Sequence, residues 1–292
     1  MKLFQVAEAG GEARLGVLAD GRARVMARPH DGIGTSLGLL LAATEHGLDA
    51  KGWLAAASSA GAFQDADWTG LARGGRLTLP LTPPEVWGAG VTYRRSADFR
   101  EEGTGFYDRV YTAPRPELFY KAAPRQCVGP GGPIGRRRDS TFTASEPELA
   151  LILARDGAIL GYTLANDVSA WDIERENPLY LPQSKIYTGC FSFGPVIVTP
   201  DEIPDPYALE LRCVIRRGGR EVFSGAASTS QLKRRFEEIV DWLGRSSSIL
   251  AGTVLSTGTG IIQPMDVGLE EGDVVTISCP QIGELSNPVA LV

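Results

Sequence analysis

The chain has 292 residues, 43% of them hydrophobic and 22% charged, with a formal net charge of −6. Such a chain can bury a large core and should be globular. Its acidic balance argues against a nucleic-acid partner even beside the local run Arg136-Arg137-Arg138, which reads as a solvated turn, and no apolar stretch approaches a membrane span, so no membrane partner is expected.

Taken in chain order, Met1-Lys2-Leu3-Phe4-Gln5-Val6 reads as a first strand and lacks the long apolar core of a signal peptide. Residues 2–27 alternate short strands with glycine-containing turns. Leu37 to His46 is predicted as an amphipathic or buried helix, and Gly52 to Ala62 as a second, alanine-rich one. Leu79-Pro80-Leu81-Thr82-Pro83-Pro84 breaks regular structure and predicts a linker. From Val86 onward the pattern is mostly strands between Gly, Pro and Asn turns. One clear helix is predicted there, Gln231 to Leu243, with Leu232, Phe236, Ile239, Val240 and Leu243 at helical spacing. The two Arg-Gly-Gly-Arg tetrads, at 73–76 and 217–220, read as turns. The expectation is a mixed α/β, β-rich chain, with a small α+β unit over residues 1–80 and a large unit over 81–292. Cys127, Cys190, Cys213 and Cys279 are widely spaced with no CxxC, which reads as free thiols in a reducing compartment and predicts a cytoplasmic protein.

One segment carries chemistry. Leu149 to Ala154 is continuously apolar, Arg155-Asp156-Gly157 reads as a turn, and Ala158 to Leu164 returns as a second strand. With the loop centred between Asp156 and Gly157, Glu146 opposes Asp167 and Glu148 opposes Ala165. Residues two apart on a strand share a face, as do directly opposed residues of an antiparallel pair, so three carboxylates converge. A divalent ion would relieve their repulsion. Oxygen ligands without histidine select a hard ion, Mg2+, Mn2+ or Ca2+, over Zn2+. On pattern alone, a solvated strand face answered by Arg or Lys from elsewhere is an equally good account.

Other constellations are mostly missing. The two histidines, His30 and His46, both fall in the small unit, which excludes a Ser-His-Asp or Cys-His arrangement in the large one. There is no HExxH, P-loop or GxGxxG. Cys190 sits between apolar neighbours without a histidine partner and reads as a buried structural thiol.

Six stretches are more telling together than singly: Glu146-Pro147-Glu148-Leu149-Ala150, the run Gly161 to Ala170 (GYTLANDVSA), Phe193-Gly194-Pro195, Thr257-Gly258-Thr259, Gly272-Asp273-Val274-Val275, and Ile282 to Val289 (IGELSNPV). In this order they resemble the fumarylacetoacetate hydrolase family over most of residues 85–292. The resemblance implies a rolled β-sheet domain, a homodimer or homotetramer, and a Mg2+ or similar ion on Glu146, Glu148 and Asp167. The family mostly cleaves carbon–carbon bonds in acylpyruvates and related diketo acids, or decarboxylates oxaloacetate. Its hydrolases activate water with a histidine placed after the tyrosine of an Asn-Tyr-x-x-His stretch. Here Gly90-Val91-Thr92-Tyr93-Arg94-Arg95-Ser96 puts Ser96 at that position, and a hydroxyl cannot replace imidazole as a base near neutrality.

A narrower similarity covers essentially the whole chain. Glu176 to Tyr187 (ENPLYLPQSKIY), Pro83 to Gly88 (PPEVWG) and Arg115-Pro116-Glu117-Leu118-Phe119 look like the 2-keto-3-deoxy-D-arabinonate dehydratase branch of the same superfamily. By motif, that branch implies catalytic or substrate-binding parts for Glu117, Lys185 and Thr259, with Gln183, Tyr93 and Arg115 as weaker candidates for substrate contacts. Trp87 and Trp171 are expected in the core or at the rim. The activity expected is Mg2+-dependent dehydration of a 2-keto-3-deoxypentonate to 2,5-dioxopentanoate. Glu117 would transfer the proton, and Lys185 would neutralise the substrate carboxylate or enolate or help hydroxide leave. Thr259 would hydrogen-bond the substrate carboxylate. The alternative is hydrolysis of a 2,4-diketo acid, with Glu117 activating water, and a non-catalytic sugar-acid binding protein is a third possibility.

Overall fold

The computed structural model describes residues 1–8, 13–27, 33–56, 63–100 and 105–292. In chain order the strands are β1 (Lys2–Ala7), β2 (Ala13–Ala19), β3 (Arg22–Met26), β4 (Phe63–Ala66), β5 (Val86–Gly90), β6 (Glu117–Ala122), β7 (Cys127–Val128), β8 (Ile134–Arg136) and β9 (Thr143–Ala144). They continue as β10 (Pro147–Leu153), β11 (Ile159–Asp167), β12 (Ser169–Ala170), β13 (Phe191–Val198), β14 (Glu210–Arg217), β15 (Arg220–Ser228), β16 (Thr253–Ser256), β17 (Val274–Cys279) and β18 (Gly283–Leu291). The helices are α1 (Ser36–Glu45), α2 (Ala50–Ala56), α3 (Trp68–Arg73), α4 (Arg94–Arg100), α5 (Phe106–Thr112), α6 (Trp171–Glu176), α7 (Leu181–Lys185) and α8 (Phe236–Gly244).

The class is the mixed, sheet-rich one expected. Among the described residues one long sheet runs β4-β3-β2-β1-β13-β11-β10-β16-β5-β6, with β7 alongside β13, and a five-stranded sheet runs β15-β14-β17-β18-β8. The first four strands join the long sheet through β1, which pairs Lys2 with Val198 and Leu3 with Ile197 of β13. Alternating residues of β10 enter two apolar clusters, Leu149, Leu151 and Leu153 in one, Ala150 and Ile152 in the other. A strand covered on both faces needs apolar residues at both parities, which is why Leu149 to Ala154 is continuously apolar. β14, by contrast, alternates exposed and buried residues over most of its length.

Several local expectations hold. The α1 helix lies within one residue of its predicted span and is capped by Thr35, whose hydroxyl accepts from the Gly38 amide at 3.1 Å. The tetrad at 217–220 is the β14–β15 turn, with Gly218 and Gly219 at φ +56° and +81°, as a tight hairpin requires. The second tetrad ends α3 at Gly74. Three expectations need correction. The α2 helix starts at Ala50 rather than Gly52, because the Asp49 carboxylate accepts from the Gly52 amide at 2.5 Å and caps it earlier; residues 57–62 lie outside the described residues. The helix expected from Gln231 begins only at Phe236, since Leu232 forms an antiparallel bridge with Tyr93. Residues 81–292 also hold α4 to α7, of five to seven residues each, too short to show an apolar period in sequence.

The central hairpin keeps the expected register by a different route. Glu148 pairs with Ala165, and every pair from Pro147–Asn166 to Ile152–Gly161 keeps the predicted sum. The turn itself is one residue longer than a two-residue loop: Leu153 pairs with Ile159, the Ala154 amide donates to the Ala158 carbonyl at 2.8 Å, and a bulge then restores the register. Gly157 makes that turn, at φ +84°. A Cβ there would stand 2.9 Å from Val240 Cγ1. Gly157→Val should therefore cost at least about 1–2 kcal/mol through left-handed strain alone, read as a lower urea midpoint at unchanged slope.

Candidate metal centre and active site

Glu146 stands just before β10, Glu148 lies within it and Asp167 ends β11. The Asp167 amide donates to the Glu146 carbonyl at 2.9 Å, which carries the hairpin ladder out to the predicted Glu146–Asp167 pair. One oxygen from each of the three carboxylates lies within 4.8 Å of the others, and all three residues are buried, at 4%, 2% and 1% exposure. Converging anions out of water are costly unless compensated.

Two ammonium groups compensate in part. Lys185 Nζ, at the end of α7, lies 3.1 Å from Glu146 Oε2 and 3.1 Å from Asp167 Oδ2, and donates to Ser169 Oγ at 2.6 Å. Lys121 of β6 is fully buried; its Nζ lies 2.6 Å from Asp167 Oδ1 and donates to the carbonyls of Val168 at 2.8 Å and Lys185 at 2.7 Å. The Trp171 indole N–H donates to Glu146 Oε1 at 2.5 Å. Asn166 Oδ1 accepts from the Glu146 amide at 3.1 Å and so pins the entry to β10. Glu148 has a different environment. Its Oε2 accepts from Ser256 Oγ at 2.5 Å and from the Gly258 amide at 2.7 Å, both neutral donors. Burial first, then the charges of Asp167 and Glu146, push its carboxyl up to about 8. Hard oxygen donors at short mutual distances, with Glu148 held by two neutral donors, fit a divalent ion such as Mg2+, whose charge would favour the ionised carboxyl.

A narrow cleft opens above this cluster. Its lining includes Glu146, Glu148 and Asp167, together with Glu117, Lys185 and Thr259, so the triad and the three strongest sequence candidates meet in one place; Ser96 and Glu174 are there too. Thr259 is buried and its hydroxyl accepts from the Ile261 amide at 3.1 Å. The weaker candidates lie elsewhere. Tyr93 is buried with its ring against Gly260, and burial together with the Glu148 charge pushes its phenol well above the usual range. Arg115 sits between two prolines, is exposed, and holds its guanidinium over Trp242 at 4.3 Å. Gln183 is two residues from Lys185 on α7, about 200° around a helix at ~100° per residue. It is therefore exposed while Lys185 is buried, and its carbonyl accepts from Arg137 at 2.9 Å. None of these three lines the cleft. His46 stays at the end of α1, its Nδ1 2.8 Å from the Ala42 carbonyl, and His30 lies outside the described residues.

Four contributors escaped the sequence reading. Lys121 stands at a register shift of β6, where Val86 pairs with Ala122 and Trp87 with Tyr120, so strict alternation from Glu117 does not place it. Ser169 stands two residues after Asp167 and could have been placed with it. Trp171 is core, as expected, stacked on Phe142 at 5.7 Å between centroids, and its N–H also serves Glu146. Ser256 had no local signal, since only the β10–β16 pairing of Ala150 with Ser256 brings it beside Glu148. Removing a buried cation while its partners remain should be severe. Lys121→Met should cost about 3–5 kcal/mol in urea denaturation with chelator present, and Mg2+ should recover part of that loss.

The geometry has independent parallels. Residues 85–290 match the sequence profile described as fumarylacetoacetate (FAA) hydrolase C-terminal. The chain is 50% identical over 221 residues, 73% of this chain and 74% of the relative, to a 2-dehydro-3-deoxy-D-arabinonate dehydratase of Saccharolobus solfataricus. It is 44% identical over 218 residues, 74% of this chain and 75% of the relative, to a probable 2-keto-3-deoxyxylonate dehydratase of Haloferax volcanii. Among solved structures, a 2-keto-3-deoxy-D-arabinonate dehydratase complexed with magnesium and 2,5-dioxopentanoate superposes with a TM-score of 0.86 at 40% identity, covering 100% of this chain and 99% of that one. With the profile spanning the whole region that builds the cleft, the chain belongs to the fumarylacetoacetate hydrolase family.

Proposed function

We propose that the protein is a Mg2+-dependent hydro-lyase that converts a 2-keto-3-deoxypentonate to 2,5-dioxopentanoate in pentose catabolism. The observation that carries this is the composition of the cleft: a buried carboxylate triad, Lys185 against two of its members, Glu117 close by, and no histidine among the described lining residues. The dehydratase relatives support the substrate class.

Glu146, Glu148 and Asp167 would hold the ion. When bound, it supplies positive charge beside the 2-oxo group of the acid and makes the C3 proton more acidic. Glu117 takes that proton as general base, a task suited to a carboxylate in a partly desolvated cleft. Lys185 sets its ammonium beside the same centre, where it balances the charge that develops on the substrate or protonates the departing C4 hydroxyl. Thr259 donates a hydrogen bond to the substrate carboxylate, for which its hydroxyl must turn its proton from its local turn. Loss of the C3 proton and the C4 hydroxyl as water leaves a 3,4-ene, which loses a C5 proton, regains one at C3 and ketonises from the C5 enol to 2,5-dioxopentanoate. Elimination needs no activated water, so Ser96 suffices where the family's hydrolases place a histidine.

The same proposal takes residues 1–80 as a small N-terminal unit before the catalytic region 81–292, and the enzyme as a cytoplasmic homodimer or homotetramer. Support for the compartment is the absence of disulfides among the described residues. Light scattering on the purified protein tests the assembly.

Four outcomes are expected. Chelator should abolish turnover and lower the melting temperature, and Mg2+ or Mn2+ should restore both; full activity after verified metal removal would sink the proposal. Glu146→Gln and Asp167→Asn should weaken Mg2+ binding in calorimetry at least about tenfold, as loss of one charged ligand implies. Lys185→Ala should leave Mg2+ binding in place and depress kcat by about 10²-fold or more. Finally, a 2-keto-3-deoxypentonate should yield 2,5-dioxopentanoate, followed by a coupled semialdehyde dehydrogenase, while acylpyruvates stay intact. Rapid acylpyruvate cleavage with no semialdehyde from either C4 epimer would establish the hydrolase instead.

A further inference from the structure

The β5 strand meets the cleft through two glycines, and each has a long side chain of β6 lying across it. In register, Gly90 pairs with Glu117 and Gly88 with Phe119. A Cβ on Gly90 would stand 2.2 Å from Glu117 Oε2 and 2.7 Å from its carboxyl carbon. On Gly88 it would stand 2.5 Å from Phe119 Cζ. Neither glycine has a positive φ, so the backbone itself would accept any residue. Glycine weakens a strand interior and marks a close approach, and the approaching group at Gly90 is a carboxylate that lines the cleft. A side chain at position 90 would occupy the space in which that carboxylate lies. Gly88 does the same for Phe119, whose ring has Lys185 Nζ 5.2 Å from its centroid.

We propose that Gly90 is a positioning residue for catalysis: its missing Cβ lets Glu117 lie flat across β5, where it reaches the substrate's C3 proton. The inference rests on the general-base role given to Glu117. A methyl at position 90 forces the carboxylate back by about 1 Å to reach ordinary contact, a displacement that can cost about 10²-fold in rate. It leaves the metal ligands, which belong to β10, β11 and the residue before β10, untouched.

The test compares the wild type, Gly90→Ala, Glu117→Ala and the double variant, each loaded with Mg2+. Turnover of a 2-keto-3-deoxypentonate, calorimetric Mg2+ affinity and melting temperature are measured for all four. Gly90→Ala should lower kcat by about 10²-fold with much less change in KM and with Mg2+ affinity within about twofold. In the Glu117→Ala background, where no side chain is left to displace, it should slow turnover by less than about twofold, because two changes acting through one group are not additive. Equal losses in both backgrounds would overturn the inference, as would a near-normal kcat for Gly90→Ala beside a slow Glu117→Ala. If Glu117→Ala itself turns over like the wild type, the role of Glu117 fails, and the inference with it. Should Gly90→Ala not fold alone, adding Glu117→Asp, whose shorter side chain clears the methyl, should restore folding and part of the turnover; no restoration counts against the clash.

Discussion

Three carboxylates buried on one face of a central hairpin impose a charge problem, and much of the structure around them answers it. Asp167 meets both ammoniums, at 2.6 Å from Lys121 and 3.1 Å from Lys185. Glu146 meets Lys185 and the Trp171 N–H, while among the described residues Glu148 receives a hydroxyl and an amide. Compensation is therefore graded across the triad, weakest at Glu148. A fully neutralised cluster would have no reason to take an ion, and an uncompensated one would destabilise the hairpin. The arrangement lies between these limits.

Placing that charge in the middle of the sheet also fixes its geometry. β10 and β11 are flanked by β16 and β13, so the backbone carrying the carboxylate triad is hydrogen-bonded on both sides. Glu117 comes from β6, one strand beyond β5, and Lys185 from a five-residue helix whose own carbonyl is held by Lys121. Lys121 thus ties the main chain of Lys185 and the carboxylate of Asp167 to one buried nitrogen. Support of this kind holds a site in its working geometry.

The relation to the family's hydrolases is one of site chemistry on a shared scaffold. A buried serine, Ser96, lines the cleft, and Glu117 and Lys185 flank the triad. The same ion-binding hairpin then serves elimination instead of water attack.

Much of the centre was legible in the sequence because a hairpin is local. Strand parity and one turn placed Glu146, Glu148 and Asp167 together, and the bulge after the turn compensated for a loop one residue longer than assumed. Motif resemblance pointed to Glu117, Lys185 and Thr259, which meet in the same cleft, whereas Lys121 sits at a register shift that strand parity does not foresee. The remainder depended on contacts between distant segments. Ser256 reaches Glu148 only through the β10–β16 pairing, Leu232 leaves its helical pattern only because Tyr93 bridges to it, and Arg115 turns outward onto Trp242. Periodicity of two along a strand fixes which side chains share a face, so the sequence alone determined that the three carboxylates converge. Which strand lies beside which, and so what stands next to each ligand, is set by burial and hydrogen bonding summed over the whole sheet, and only the tertiary structure decided it.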